Sequence, residues 1–345
     1  MVIRKVLGKA WEYRDNKYLW FLISTGILAG LIYFADAQKF VKSIRSAKLV
    51  FLIPALVLGL AVFPIWSYVW YRVFKKSNID LTYRESIRIF MAGNFMNSVT
   101  PLGQAGGEPL MAFLVEQNTE ASYERALSSI FSADIMNGMP PITFILGGTG
   151  FLLIFGSLND IIVQTVYMVL LATAVGGTIA YLLWFESGTI EGKIQWILDK
   201  IVEKTGRGQE IVSSIEEKLE EVEESFKTIG NDPVYLLKTA IISHVGWLMQ
   251  IFNFVLIAGS LGYFPDLTPV YFIVVISGLA NFSPTPGGSG TFEAAMAGLI
   301  TIFIPYIAAP EALTIAILFR ISTYWPGILL GWLALNSLNG QVNER

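Results

Sequence analysis

The sequence predicts an all-α integral membrane protein with about six transmembrane helices and two re-entrant helical hairpins from opposite sides, an inverted-repeat architecture. Three observations carry this. Of 345 residues, 54% are hydrophobic and only 15% charged, whereas soluble domains carry nearer a quarter charged residues. Apolar runs long enough to cross a bilayer recur along the chain. Two further apolar regions are broken at a cluster of proline and glycine that ends in glutamate.

The crossings are expected near residues 18–35, 49–71, 126–156, 161–185, 236–260 and 311–336, within one polytopic domain, residues 1–345. Aromatic residues gather at their ends (Trp11, Tyr18 and Trp20; Trp70 and Tyr71; Trp184 and Phe185; Tyr263 and Phe264), as in an interfacial belt. The polar Met1–Lys17 stretch lacks the pattern of a cleaved signal peptide. Residues 186–232 read as a cytoplasmic pair of amphipathic helices. Ile194, Ile197, Leu198 and Ile201 form one stripe, and Ile211, Ile215, Leu219, Val222 and Phe226 the other. Its acidic run is a solvated face or a docking surface for a cytoplasmic partner. Homo-oligomerisation stays open.

The broken regions are 86–115, interrupted by "NSVTPLGQAGGEP", and 270–306, interrupted by "SPTPGGSGTFEA". Their first arms, about 12 residues and so about 18 Å, are too short to cross. With the hairpins re-entrant and both termini cytoplasmic, 18 of the 24 Lys and Arg lie inside and 4 outside, with Lys238 and Arg320 inside crossings. That bias fits the positive-inside rule and a plasma-membrane location.

The two breaks match one another. Pro101 aligns with Pro286, Gly103 with Gly288 and Glu108 with Glu293, and Asn-Phe pairs precede both, Asn94-Phe95 and Asn281-Phe282. Proline ends an arm because it lacks an N–H and clashes with the preceding turn. Free backbone groups at such a break are tolerated only inside protein or around a wet cavity. A glutamate opening the return arm faces the positive end of a helix dipole.

These motifs resemble the membrane (flippase) domain of lysylphosphatidylglycerol synthase/flippase and the stand-alone bacterial and archaeal membrane proteins related to it. A first signature, N…P-x-G-x-x-G-[GD]-E, is met by Asn94, Pro101, Gly103, Gly106, Gly107 and Glu108. A second, P-x-P-G-G-x-G-x-x-E, is met by Pro284, Pro286, Gly287, Gly288, Gly290 and Glu293. "FRISTYWPGILLG", with Arg320 and Tyr324, is similar to a third feature, an arginine followed by an aromatic in the last crossing. The family's Asp-Arg pair is absent, since Asp134 precedes Ile135. No aminoacyl-transferring domain is expected, because only nine residues follow Asn336. The resemblance implies lipid translocation.

The substrate-binding candidates are therefore Glu108, Glu293, Arg320, Asn94, Tyr324 and Asp134. The alternative role for the glutamates is helix capping, worth about 1 kcal/mol, which serine or threonine can fill. A mid-membrane arginine requires an anionic partner, either Glu293, Glu108 or a lipid phosphate. Asp134 is either hydrated from the cytoplasm or cavity-lining. Lys238 is read as snorkelling and His244 as a packing histidine. Gly26, Gly30, Gly147, Gly148 and Gly150 are read as close-packing positions. Glu108 and Glu293 are expected to approach near the midplane.

Two other functions remain. A secondary transporter of a small solute or ion would use the same architecture with a sealed cavity. A membrane-embedded lipid-modifying enzyme is disfavoured: the chain has no cysteine and one histidine, and no nucleotide-binding loop. No enzyme activity, cofactor or metal is expected. A net charge of -3 gives no basic bias toward nucleic acid.

Overall fold

The computed structural model describes residues 37–99, 104–155 and 226–342 except Pro284, with isolated helical positions at 30, 33, 224 and between 163 and 181. The expected crossings at 18–35 and 161–185, and most of the 186–232 insertion, lie outside the described residues. Among the described residues the chain is helical, with no strand. The helices are α1 (Ala37–Ser46), α2 (Leu49–Lys76), α3 (Tyr83–Val99), α4 (Gln104–Asn118) and α5 (Tyr123–Phe155). They continue with α6 (Pro233–Ser260), α7 (Leu267–Ser277), α8 (Thr291–Phe303), α9 (Ala309–Thr323) and α10 (Trp325–Val342). Three segments are long and apolar enough to cross a membrane: Leu49–Lys76, Pro233–Ser260 and Ala309–Leu338.

Local chemistry sets the helix ends. Thr82 and Glu85 form a capping box: Glu85 Oε2 accepts the Thr82 N–H at 2.7 Å, and Thr82 Oγ1 accepts the Glu85 N–H at 3.3 Å. The cap starts α3 at Tyr83, so this arm has 17 residues rather than the expected dozen. At about 25 Å it is still short of a ~30 Å bilayer core. Asp232 caps α6 by accepting the Tyr235 N–H at 2.9 Å, and Pro233 opens the helix. Lys76 donates to Asp232 at 2.8 Å. These two bonds hold the Asp232 carboxyl below its ordinary range, with the Lys76 bond the larger cause.

The expected last crossing is two helices. Pro326 has no N–H to give the Ser322 carbonyl, and α9 stops at Thr323, one residue before Tyr324. In α5, Pro141 likewise leaves the Asn137 carbonyl without its helical partner, and Trp247 Nε1 donates to it at 2.9 Å. The helix therefore runs on through the double proline, repaired from α6.

The described chain falls into two compact units. The first takes residues up to Leu56, Met96–Gly107 and Asn253–Trp325; the second takes Val57–Phe95, Glu108–Phe252 and Pro326 onward.

In the first unit, α7 and α8 fold back on one another, with Phe272 and Phe303 stacked at 5.9 Å. Phe319 on α9 stacks on Phe292 of α8 at 6.1 Å and lies 6.4 Å from Phe254 of α6. Asn253 is fully buried. Its amide donates to the Ala55 carbonyl at 2.7 Å, and its oxygen accepts from Ser322 at 3.0 Å, so one side chain ties α2, α6 and α9.

In the second unit, Trp70 packs edge-on against Phe74 and Phe90. Phe226, from the apolar stripe of the insertion, is buried with Val69 and Met136. A Cβ on Gly246 would lie 2.5 Å from Trp66 Nε1, so the Trp66 side chain of α2 lies directly on the α6 backbone there. On α10 a Cβ at Gly331 would lie 2.3 Å from the Met91 carbonyl, and one at Gly327 would lie 2.8 Å from Phe63. Gly327 and Gly331 thus form a small-xxx-small seam against α3 and α2. The close-packing expectation fails elsewhere: among the described residues, a Cβ at Gly30, Gly147 or Gly150 would meet nothing within 4 Å. Gly26 lies outside the described residues, and Gly148 is buried.

The α3–α4 arms run antiparallel. Gly93 faces Met111, and Gly107 faces Asn97, with added Cβ atoms 1.7 Å from Met111 Sδ and 1.7 Å from Asn97 Oδ1.

Candidate functional site

Glu108 lies in the second unit and Glu293 in the first, so the two candidate sites are taken separately.

The first-unit site is built on the break between α7 and α8. After α7 the chain tightens into a 3₁₀ turn at Gly278–Phe282, and a second short turn spans Pro286–Gly288. Gly287 has φ +54° and Gly290 φ +83°, left-handed conformations that favour glycine. Gly287 has no room for a side chain either, because a Cβ would lie 2.1 Å from the Tyr324 hydroxyl. Ser283, Thr285 and Thr291 join hydroxyls across the loop, and Thr291 also donates to the Gly288 carbonyl at 2.9 Å.

Glu293 is 6% exposed and Arg320 3%. Glu293 does two jobs with two oxygens. Oε2 accepts the Gly290 N–H at 2.7 Å and caps α8; Oε1 accepts Nε of Arg320 at 3.3 Å. The capping and ion-pair alternatives therefore coexist. Arg320 also donates through Nη2 to the Gly287 carbonyl at 2.7 Å and through Nη1 to Asn281 Oδ1 at 3.5 Å. Its guanidinium lies 3.5 Å from the centroid of Tyr324 and 4.8 Å from that of Phe292, which adds cation–π attraction on two faces. Arg320 also stands in the last turn of α9, where carbonyls and the negative dipole end favour a cation.

Tyr324 reaches further. Its hydroxyl donates to the Ser98 carbonyl at 3.4 Å. Ser98 lies in the last turn of α3, so Tyr324 brings the end of the α3 arm to the Gly287 turn. Nearby in sequence, Asn97 Oδ1 is buried with no hydrogen-bond partner.

The second-unit site joins Glu108 and Asp134. Glu108, 8% exposed, stands in the second turn of α4, and Pro109 follows it. Asp134 stands on α5, and its carboxyl group lies beside that of Glu108. Near them the buried Trp70 indole N–H has no hydrogen-bond partner. Asn94 belongs to this unit but to a different place, against Gly327, where a Cβ would lie 2.6 Å from its amide nitrogen. His244 contacts Thr143 at 2.7 Å and the Ala240 carbonyl at 2.7 Å, as a packing histidine would.

Of the expected site residues, the structure brings Glu293, Arg320 and Tyr324 together around Gly287 and Gly288. In the second unit it sets Glu108 beside Asp134 and places Asn94 against Gly327. Pro101, Gly103 and Pro284 lie outside the described residues, and Gly106 is described only as helical backbone. Sequence reasoning missed Asn281 and Phe292 as contributors. Asn281 was visible in the repeated Asn-Phe pair. Phe292 stands at an unconstrained position of the second signature, where no pattern marks it. Among the described residues, no cluster of three or more His, Cys, Asp or Glu could hold a metal ion.

Comparison with known proteins agrees with this reading of the motifs. The chain is 22% identical to a UPF0104 membrane protein of Pyrococcus horikoshii over 333 residues, covering 92% of this chain and 95% of the relative. It is 26% identical to another from Archaeoglobus fulgidus, covering 91% and 94%. A third, from Methanothermobacter thermautotrophicus, is 22% identical, covering 94% and 96%. No solved structure matches. The lysylphosphatidylglycerol synthase TM region matches residues 21–331, and the chain is a membrane protein that belongs to that family.

Proposed function

We propose that the protein is a lipid flippase of the plasma membrane that moves a lipid with a charged head group between leaflets, without chemistry on the lipid. The α3–α4 and α7–α8 segments act as re-entrant hairpins, the first from the cytoplasm and the second from outside. Both termini face the cytoplasm. The head group travels in a polar path while the tails stay in lipid, and alternating access moves the hairpins against the surrounding helices.

One observation carries the reading. Arg320 is buried among apolar helices, yet its partners are a carboxylate, an amide and a carbonyl that a phosphate could replace one for one. Guanidinium is suited to planar, bidentate recognition of such an anion. The closed arrangement pairs Arg320 with Glu293; a head group would take the place of Glu293. Family membership supports lipid as the cargo.

The test is leaflet translocation in proteoliposomes with labelled anionic, cationic and polyprenyl-phosphate lipids. Wild-type protein should move at least one class faster than empty liposomes, and Arg320→Ala should abolish movement of that class. Rates equal to empty liposomes for every lipid would remove the flippase reading. Full activity in Arg320→Ala would remove the site.

A further inference from the structure

The Arg320 and Glu108 sites leave α1 unused. This ten-residue helix, AQKFVKSIRS, is joined to α2 by Ala47 and Lys48. α2 is long and apolar enough to cross a membrane. Its 28 residues span about 42 Å against a bilayer core of ~30 Å, so its ends stand at the head-group level. Two linking residues reach about 10 Å at most, which keeps α1 at that interface. The elbow is also tied to α6, because the Lys48 N–H donates to the Ser260 carbonyl at 2.9 Å.

The side chains of α1 sort into sectors. Phe40 and Ser43 are buried, and the helix packs against α9. At about 100° per residue, Val41 and Ile44 fall about 40–100° round from Phe40, and Lys42 and Arg45 about 140–200°. Val41 is 45% exposed and Ile44 38%, and both cations are exposed. In water such an apolar flank would be a cost without return. At a membrane surface it enters the acyl boundary, and the cations beside it meet head groups. The cations then decide the class of head group. No Asp or Glu occurs between Ala37 and Ile79, so this stretch of chain brings no carboxylate of its own. A phosphate supplies the missing charge, taken as a fork by arginine and as a point charge by lysine.

We infer that α1 is a docking surface for anionic phospholipid. It lies in the membrane interface with Val41 and Ile44 against acyl chains and Lys42 and Arg45 on the phosphates. The surface uses none of the side chains around Arg320, so it stands or falls independently of lipid translocation.

The chain contains no cysteine, so Val41→Cys gives one labelling site in the full-length protein. The protein is reconstituted in vesicles of phosphatidylglycerol and phosphatidylcholine. A spin label at this site should be reached by oxygen in preference to a water-soluble nickel chelate. Preferential access by nickel would put the flank in water and overturn the proposal. Shielding from both reagents would mean that protein, a second copy or another chain, covers the flank, and would overturn it too. A fluorophore on the same cysteine then reads head-group choice. Phosphatidylglycerol with an acyl-chain nitroxide should quench it more than the phosphatidylcholine analogue at equal mole fraction. Lys42→Gln/Arg45→Gln should erase that excess, by about fivefold in relative affinity for each cation removed. Lys42→Arg/Arg45→Lys, which conserves charge, should keep it. Equal quenching by the two lipids, an excess that survives the glutamine variant, or one lost in the charge-conserving variant would overturn the anionic assignment.

Discussion

Replacing Glu293 with glutamine separates the two jobs of one side chain. The carboxylate meets two donors with two oxygens, the Gly290 N–H at 2.7 Å and Arg320 Nε at 3.3 Å. Glutamine has one oxygen and one NH₂ group, so one donor must face another donor. Arg320 loses its carboxylate either way, and if the amide oxygen turns to Arg320, α8 loses its cap as well. A lost cap costs about 1 kcal/mol. Breaking a buried ion pair from one side costs about 3–5 kcal/mol, because the other charge is stranded. Arg320 keeps the Gly287 carbonyl and two aromatic faces, which argues for the lower end, about 3 kcal/mol. The double variant Glu293→Gln/Arg320→Met strands no charge and should recover most of that loss. Thermal unfolding of the four proteins in one detergent gives the cycle. A Glu293→Gln variant within about 0.5 kcal/mol of wild type, or a double variant as unstable as the sum of the singles, would refute the stranded-charge argument.

The remaining predictions concern the frame. Gly331→Ala puts a methyl group 2.3 Å from the Met91 carbonyl, a backbone atom that cannot swing aside, and should lower the unfolding temperature; Gly298→Ala, where a Cβ meets nothing within 4 Å, should not. Trp247→Phe removes the donor that covers the Asn137 carbonyl and should destabilise by about 1–3 kcal/mol, measured by thermal unfolding against Trp247→His. Asp232 contributes stability because its folded carboxyl titrates lower than its unfolded one. That contribution is complete above the unfolded value of about 4 and disappears as pH falls through the lower folded value. Melting curves from about pH 6 down to about pH 3 should therefore lose an acid-labile component in Asp232→Asn, and identical profiles would contradict the assignment.

The helical membrane class, three long apolar segments and the break before Glu293 were legible in the sequence, because apolar runs and proline–glycine clusters are local signals. That Arg320 needs an anionic partner was legible too, since a mid-membrane charge demands one, but the choice among Glu293, Glu108 and a lipid phosphate was not. What stayed hidden depended on contacts between distant segments. The split at Tyr324 was masked by an apolar run that continues on both sides of Pro326. The Gly327–Gly331 seam looked no different from Gly26–Gly30, since spacing alone does not say which glycine faces a neighbour. Asp134 could be placed on a helix but not beside Glu108, because nothing in either motif encodes the other.

The order of Glu293 and Arg320 along the chain has a consequence for biogenesis. The named partners of the guanidinium, from Asn281 to Tyr324, lie on one continuous segment. A charged side chain at the centre of a lone membrane helix costs about 2.5–3.5 kcal/mol on insertion scales. Neither α8 with Glu293 nor α9 with Arg320 bears that cost once the two meet, and they are neighbours in synthesis. The growing chain therefore has reason to release them into lipid as a pair, and a nascent chain halted between Phe303 and Arg320 would hold a carboxylate still waiting for its cation.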